Sequence, residues 1–123
     1  MTSKTTEANK PSAKKNKAME LLSTVTYEKG FHFYSGLGKY TGITATSLYE
    51  FAGKLQTISV ESVSFHFQRD DFQKWLRNTL GDYVLATRID QLKKGLSWSS
   101  NENLRKELVT TVQKRLSELK QLP

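Results

Sequence analysis

Apolar residues recur at helical spacing through most of this chain. Leu48, Phe51, Ala52 and Leu55 line one face of a segment over residues 47–57. Ser47, three positions before Glu50, fits a capping box at its start. Phe72, Trp75, Leu76 and Leu80 form the next stripe, which Asp70 or Asp71 can cap. Gly81 sits where a helix ends, and Asp82 can open the following helix, with Leu85, Ile89 and Leu92 inward and its end at Gly95. A last helix carries Leu104, Leu108, Val112, Leu116 and Leu119 on one face and runs to about Gln121. Ser99 and Glu102 fit a capping box at its start. Glu102–Lys106 and Lys114–Glu118 lie at i,i+4 on its surface.

Other segments carry a different or divided pattern. Phe31 and Phe33 alternate with His32 and Tyr34, which predicts a short extended segment over residues 31–35. Gly36, Gly38 and Gly42 follow, as tight turns require. Residues 59–68 fit either period. Val63, Phe65 and Phe67 alternate, whereas Val60, Val63, Ser64 and Phe67 repeat as in a helix, the reading that the helical neighbourhood favours. Met19, Leu22, Val25 and Tyr27 fit one face of a short helix, yet Thr24–Tyr27 is β-prone.

Residues 1–17 hold Met1 as their only large apolar side chain, so they cannot offset the entropy of ordering. The expected organisation is a lysine-rich flexible tail over residues 1–18 and a single domain over residues 19–123. The domain is mainly α, with four or five helices around one core and a short strand segment near residues 31–35.

Charge sharpens this division. The net charge is +7. Residues 1–18 hold Lys4, Lys10, Lys14, Lys15 and Lys17 against Glu7, and so carry +4 of it. A cationic arm of this kind is attracted to polyanions. The absence of cysteine excludes a disulfide framework and every cysteine-containing zinc site. No apolar leader or membrane-length apolar run is present, so a cytoplasmic protein without a membrane partner is expected.

Candidate chemistry is sparse. The GLGKYTG run at residues 36–42 resembles a phosphate loop only loosely. A P-loop needs glycine at position 33, which is Phe, and Ser or Thr at position 40, which is Tyr. A glycine turn is the plainer reading. His32 and His66 each sit between phenylalanines, without a recognisable metal-ligand spacing. His66 and Asp70 would meet at i,i+4 on a helix, but a helix boundary with a capping Asp and an Arg69 ion pair is the plainer reading. Neither a catalytic residue nor a cofactor is expected. Phe31 and Phe33 read as core, while Tyr34 and Tyr40 beside Lys39 are open to base stacking. The last helix is only mildly basic.

The stretch from FHFYSGLGKYTGITATSLYEF to SFHFQRDDFQKWLRNTLGDYVLATRI, residues 31–89, resembles a small, mainly archaeal family known only as a domain of unknown function. The shared pattern is FYxGxGxYTG, then ATSLxEF, then FHFxRxDFxxWLRxxLGDxxLA. The resemblance implies a compact, mainly helical domain, alone or attached to others, and carries no activity and no functional residue.

These features favour a non-enzymatic nucleic-acid-associated protein, binding RNA or the ribosome (DNA is the lesser option) without base-specific readout. Lys4, Lys10, Lys14, Lys15 and Lys17 would contact phosphates, with Lys39 and Tyr40 as further contacts. The alternative is a protein-interaction or regulatory module docking on a larger partner through a patch near Tyr34, Tyr40 or Trp98.

Overall fold

The computed structural model describes residues 13–95 and 100–121. Their order is α1 (Ala13–Leu21), a 3-10 turn (Tyr27–Lys29), β1 (Phe31–Tyr34), β2 (Tyr40–Ala45), α2 (Leu48–Thr57), α3 (Val60–Gln68), α4 (Asp71–Trp75), a π-helical turn (Leu76–Leu80), α5 (Tyr83–Gly95) and α6 (Asn101–Gln121). The fold is mainly helical with one short sheet, as the pattern predicts. Six helices are present among the described residues, α1 being the one beyond the expected four or five.

Helix α1 starts at Ala13, ahead of residue 18. The AKKNKAMEL run is rich in strong helix formers, and Ala18 and Leu21, three apart, are buried. Met19 was expected inward and is instead 58% exposed. Residues 1–12, including Lys4 and Lys10, lie outside the described residues, as does Trp98. Beyond α1 the β-prone reading holds in part. Thr26 is extended, and the Val25 N–H donates to Thr46 O at 2.8 Å.

The two strands pair antiparallel, with Phe31 opposite Ala45, His32 opposite Thr44 and Phe33 opposite Ile43. The register then shifts, so that Tyr34 faces Tyr40 and residues 41 and 42 bulge outward. Gly42 takes φ +86°, a left-handed conformation that a side chain would strain. The Thr41 hydroxyl donates to Phe33 O at 2.7 Å and accepts from the Ile43 N–H at 3.2 Å, which satisfies the interrupted ladder. The GLGKYTG run is therefore a bulged hairpin turn.

Phe31 and Phe33 point inward and build an aromatic core with Phe51, Phe72 and Trp75, at ring separations of 4.8 to 6.0 Å. The Trp75 indole N–H reaches Lys29 O at 2.8 Å and ties the turn before β1 to this core. Helix α6 closes the other side with Leu104, Leu108, Val112, Leu116 and Leu119, all buried.

Residues 60–68 resolve as helix, with Ser59 accepting from the Ser62 N–H at 3.2 Å. Local contacts at the helix starts and on the α6 surface depart from the expected pairs. Ser47 caps the Glu50 N–H at 3.1 Å, but Glu50 reaches back to the Thr46 N–H and hydroxyl, at 2.7 and 2.9 Å, not to Ser47. Those bonds hold the Glu50 carboxyl below its usual pKa. At α6 the cap is Ser100, accepting from the Asn103 N–H at 3.1 Å, while Ser99 lies outside the described residues. The surface carboxylates choose arginines over the expected lysines. Glu102 pairs with Arg105, and Glu118 pairs with Arg88 and Arg115.

Candidate nucleic-acid interface

The inward turn of Phe31 and Phe33 sends His32 and Tyr34 to the other face of β1, because successive strand side chains alternate. On β2 the same parity places Tyr40 and Thr44 beside them. The bulge at Gly42 completes the arrangement by bringing Tyr40 opposite Tyr34, with ring centroids 5.4 Å apart. Tyr27, on the 3-10 turn, joins from the side at 5.0 Å from His32, and His32 lies 5.9 Å from Tyr40. Four rings thus share one outer face.

Hydrogen bonds hold three of these rings in place. Tyr27 and Tyr40 share one between their hydroxyls at 3.0 Å, Tyr40 bonds Thr44 Oγ1, and Thr44 Oγ1 meets His32 Nδ1 at 2.7 Å. The bonds from Tyr40 and then Thr44 lower the Tyr27 pKa against a small cost of desolvation. For Tyr40 the Thr44 bond also pulls downward. The Tyr27 bond, desolvation and repulsion from Tyr27 and Tyr34 outweigh it, so the net direction is up. Tyr27 is 60% and Tyr40 40% exposed despite these bonds. Large rings fixed in water are costly to maintain unless something covers them.

Cations border the face. Lys39 stands exposed at the turn, held by the Ser35 N–H to Lys39 O and Lys39 N–H to Gly36 O bonds, both 3.0 Å. A hollow of about 340 Å³ lies beside Tyr27, Tyr40 and Thr44, with Lys54 of α2 on its edge. Neither lysine has an ion-pair partner among the described residues. Lys17, in contrast, lies 3.4 Å from Glu20 on α1, and Lys14 and Lys15 fall on the same helix.

The expected His66–Asp70 pair does not form. His66 Nδ1 donates to Asp71 Oδ2 at 2.8 Å, five residues on, and its Nε2 accepts the Tyr34 N–H at 2.8 Å. Asp70 turns away, with φ +62°, and binds Lys93 at 2.7 Å and Gln73 at 3.3 Å. It stands at the N-cap position of α4 but makes no cap bond. The two histidines take separate partners, Thr44 for His32 and Asp71 for His66. Both ring nitrogens of His66 are occupied, so its role is to fasten β1 to α3.

Burial drives the His66 pKa down, and Arg69 adds to this, against the pull of Asp71 upward. In the unfolded chain His66 takes its proton near about pH 6.5, whereas the folded chain resists it to lower pH. The unfolded state thus binds more protons as pH falls through that region. Stability is full above the unfolded value and declines below it until the folded pKa is passed. Urea midpoints measured from neutral to mildly acid pH should fall, and His66→Gln should flatten that decline.

The last helix contributes less charge than its sequence suggests. Arg105 donates to Leu55 O at 2.9 Å as well as pairing with Glu102, and Arg115 bonds buried Asp82. Lys120 lies over the Tyr49 ring at 5.0 Å. No helix among the described residues is long and apolar enough to cross a membrane.

With this geometry in place, the chain can be set beside known families. Residues 68–123 match a family of unknown function (DUF5752). The match starts within the stretch recognised by motif and continues through α6, which that resemblance left out. It includes Arg69 and Asp71 but not the hairpin. No curated protein and no solved structure matches the chain.

Of the residues expected at a site, Tyr40 and Lys39 lie on or beside the ring face, and Lys17 lies apart on α1. Tyr27, His32 and Lys54 were missed. The Phe31/Phe33 alternation already implied that His32 and Tyr34 share the opposite face, so part of the signal was present. Tyr27 fits either a helix face or a β-prone run by pattern, and it sits on a 3-10 turn instead.

Proposed function

We propose that this protein is a non-enzymatic binder of single-stranded nucleic acid, with RNA, free or ribosomal, as its natural form. The observation that carries this reading is the outer face of the hairpin. Tyr27, His32, Tyr34 and Tyr40 form one set of rings, exposed at Tyr27 and Tyr40, with Lys39 and Lys54 at its borders. Bases stack on such rings whatever their identity, and lysines follow the phosphates. Duplex RNA hides its base faces, so an unpaired strand is the fitting ligand. The lysine-rich N-terminal segment adds charge without adding selection. The occupied nitrogens of His66 support a binding role over proton transfer.

Fluorescence anisotropy with a labelled single-stranded 12-mer, repeated across salt concentrations, tests the reading. Binding should weaken steeply with salt, by about 0.7 log units per log unit of salt for each phosphate contact. Changing Lys4, Lys10, Lys14 and Lys15 to glutamine should reduce that slope by up to about 3. Binding that is absent at micromolar protein overturns the reading. Selective retention of a protein partner by the glutamine variant would then favour a docking module.

A further inference from the structure

A second hollow of about 340 Å³ lies on the far side of Tyr34, between the hairpin turn and α3. Phe31, Tyr34, Leu37 and Phe65 give it apolar walls, and Arg69 and Asp71 give it one polar edge. Two observations indicate that this space receives a ligand. Leu37 stands at the turn tip, 78% exposed, between Gly36 and Gly38. An apolar side chain held in water at the rim of an apolar hollow gains by being covered. The polar edge is also fixed before any ligand arrives. The Arg69 guanidinium lies over the Phe65 ring at 4.9 Å, and its Nε donates to Asp71 Oδ2 at 3.2 Å. Asp71 Oδ2 also takes the His66 Nδ1 proton. Among the described residues, the two Nη groups of Arg69 and Asp71 Oδ1 have no hydrogen-bond partner.

That edge pairs a donor fork with one carboxylate oxygen. A phosphate would satisfy the fork but would meet the carboxylate. A nucleobase edge satisfies both, because it sets an N–H beside a ring nitrogen or carbonyl acceptor. The volume, at the small end of ligand pockets, suits one ring system. His32 and Tyr34 border this hollow and belong to the ring face, so the two surfaces are continuous.

We infer that this hollow seats one unpaired base of a strand lying across the hairpin, sandwiched by Tyr34, Leu37 and Phe65 and held at its edge by Arg69 and Asp71. The inference rests on the single-strand reading above and adds a base contact to it. The rest of the face remains indifferent to sequence.

The test uses the full chain with two probes, a single-stranded RNA hexamer and the same hexamer with every base removed. Arg69 is half exposed and outside the core, so Arg69→Met and Arg69→Lys should fold. Both variants should bind the intact hexamer about tenfold more weakly, because lysine lacks the planar fork. Neither should change binding to the base-free chain. Rescue by lysine, or equal weakening for both probes, would make Arg69 a phosphate contact and overturn the base seat. Unchanged binding of the intact hexamer by both variants also overturns it. If the unmodified chain binds neither probe, the single-strand reading itself falls with it.

Discussion

Asp82→Ala should lower the folding stability by about 3–5 kcal/mol, as breaking a buried ion pair from one side does. Asp82 is 1% exposed. Its Oδ1 accepts the Leu85 N–H at 3.0 Å and so caps α5, while Arg115 Nε lies 3.2 and 3.0 Å from its two oxygens. The Arg115 side chain is itself only 12% exposed, and its other carboxylate, on Glu118, is farther away at 3.5 Å. Alanine removes the cap and leaves a guanidinium in poor solvent. A loss of that size is a large share of the ~5–15 kcal/mol that holds a domain together. Chemical denaturation measures it. Asp82→Asn keeps an acceptor for the cap and should cost less. Adding Arg115→Met to Asp82→Ala should recover part of the loss, because the stranded charge is then gone.

The largest functional effect belongs to Tyr27 and Tyr40. Each base that loses a stacking ring costs about 1–3 kcal/mol, so Tyr27→Ala with Tyr40→Ala should weaken single-strand binding by about a hundredfold or more. The fold should tolerate the change, because both rings are largely outside the core and the inner phenylalanines are untouched. Tyr83→Ala is the matching control. Tyr83 is 63% exposed on α5, outside the hairpin, and its loss should leave binding unchanged. Anisotropy titration of the three proteins side by side measures the contrast.

The parts of this molecule that the sequence announces are those with a repeated cause. Leu104, Leu108, Val112, Leu116 and Leu119 recur at one helical spacing, and all five are buried. Gly81 marks the end of its helix because it takes φ +81° there. Contacts that depend on tertiary packing are less legible. Helical spacing offers Asp70 to His66, yet Asp71 makes the bond, because the chain turns left-handed at Asp70. The ring face is intermediate. Alternation around Phe31 and Phe33 gives the side of the strand, but the bulge that brings Tyr40 opposite Tyr34 depends on how β2 returns. Tyr27 joins only because the Trp75 bond to Lys29 O and the Val25 bond to Thr46 O fix the preceding link. The pair of Arg69 and Asp71 is local, but the hollow it borders exists only once α3 lies beside the hairpin turn.

The central claim is that an unpaired strand lies on the outer hairpin face. Ultraviolet cross-linking of the full chain to single-stranded RNA, with adducts located by mass spectrometry, tests it most directly. Adducts are expected on Tyr27, Tyr34 or Tyr40, reduced by an excess of unlabelled strand and by high salt. Adducts confined to the N-terminal lysine segment or to α6, with none between residues 27 and 44, would contradict it.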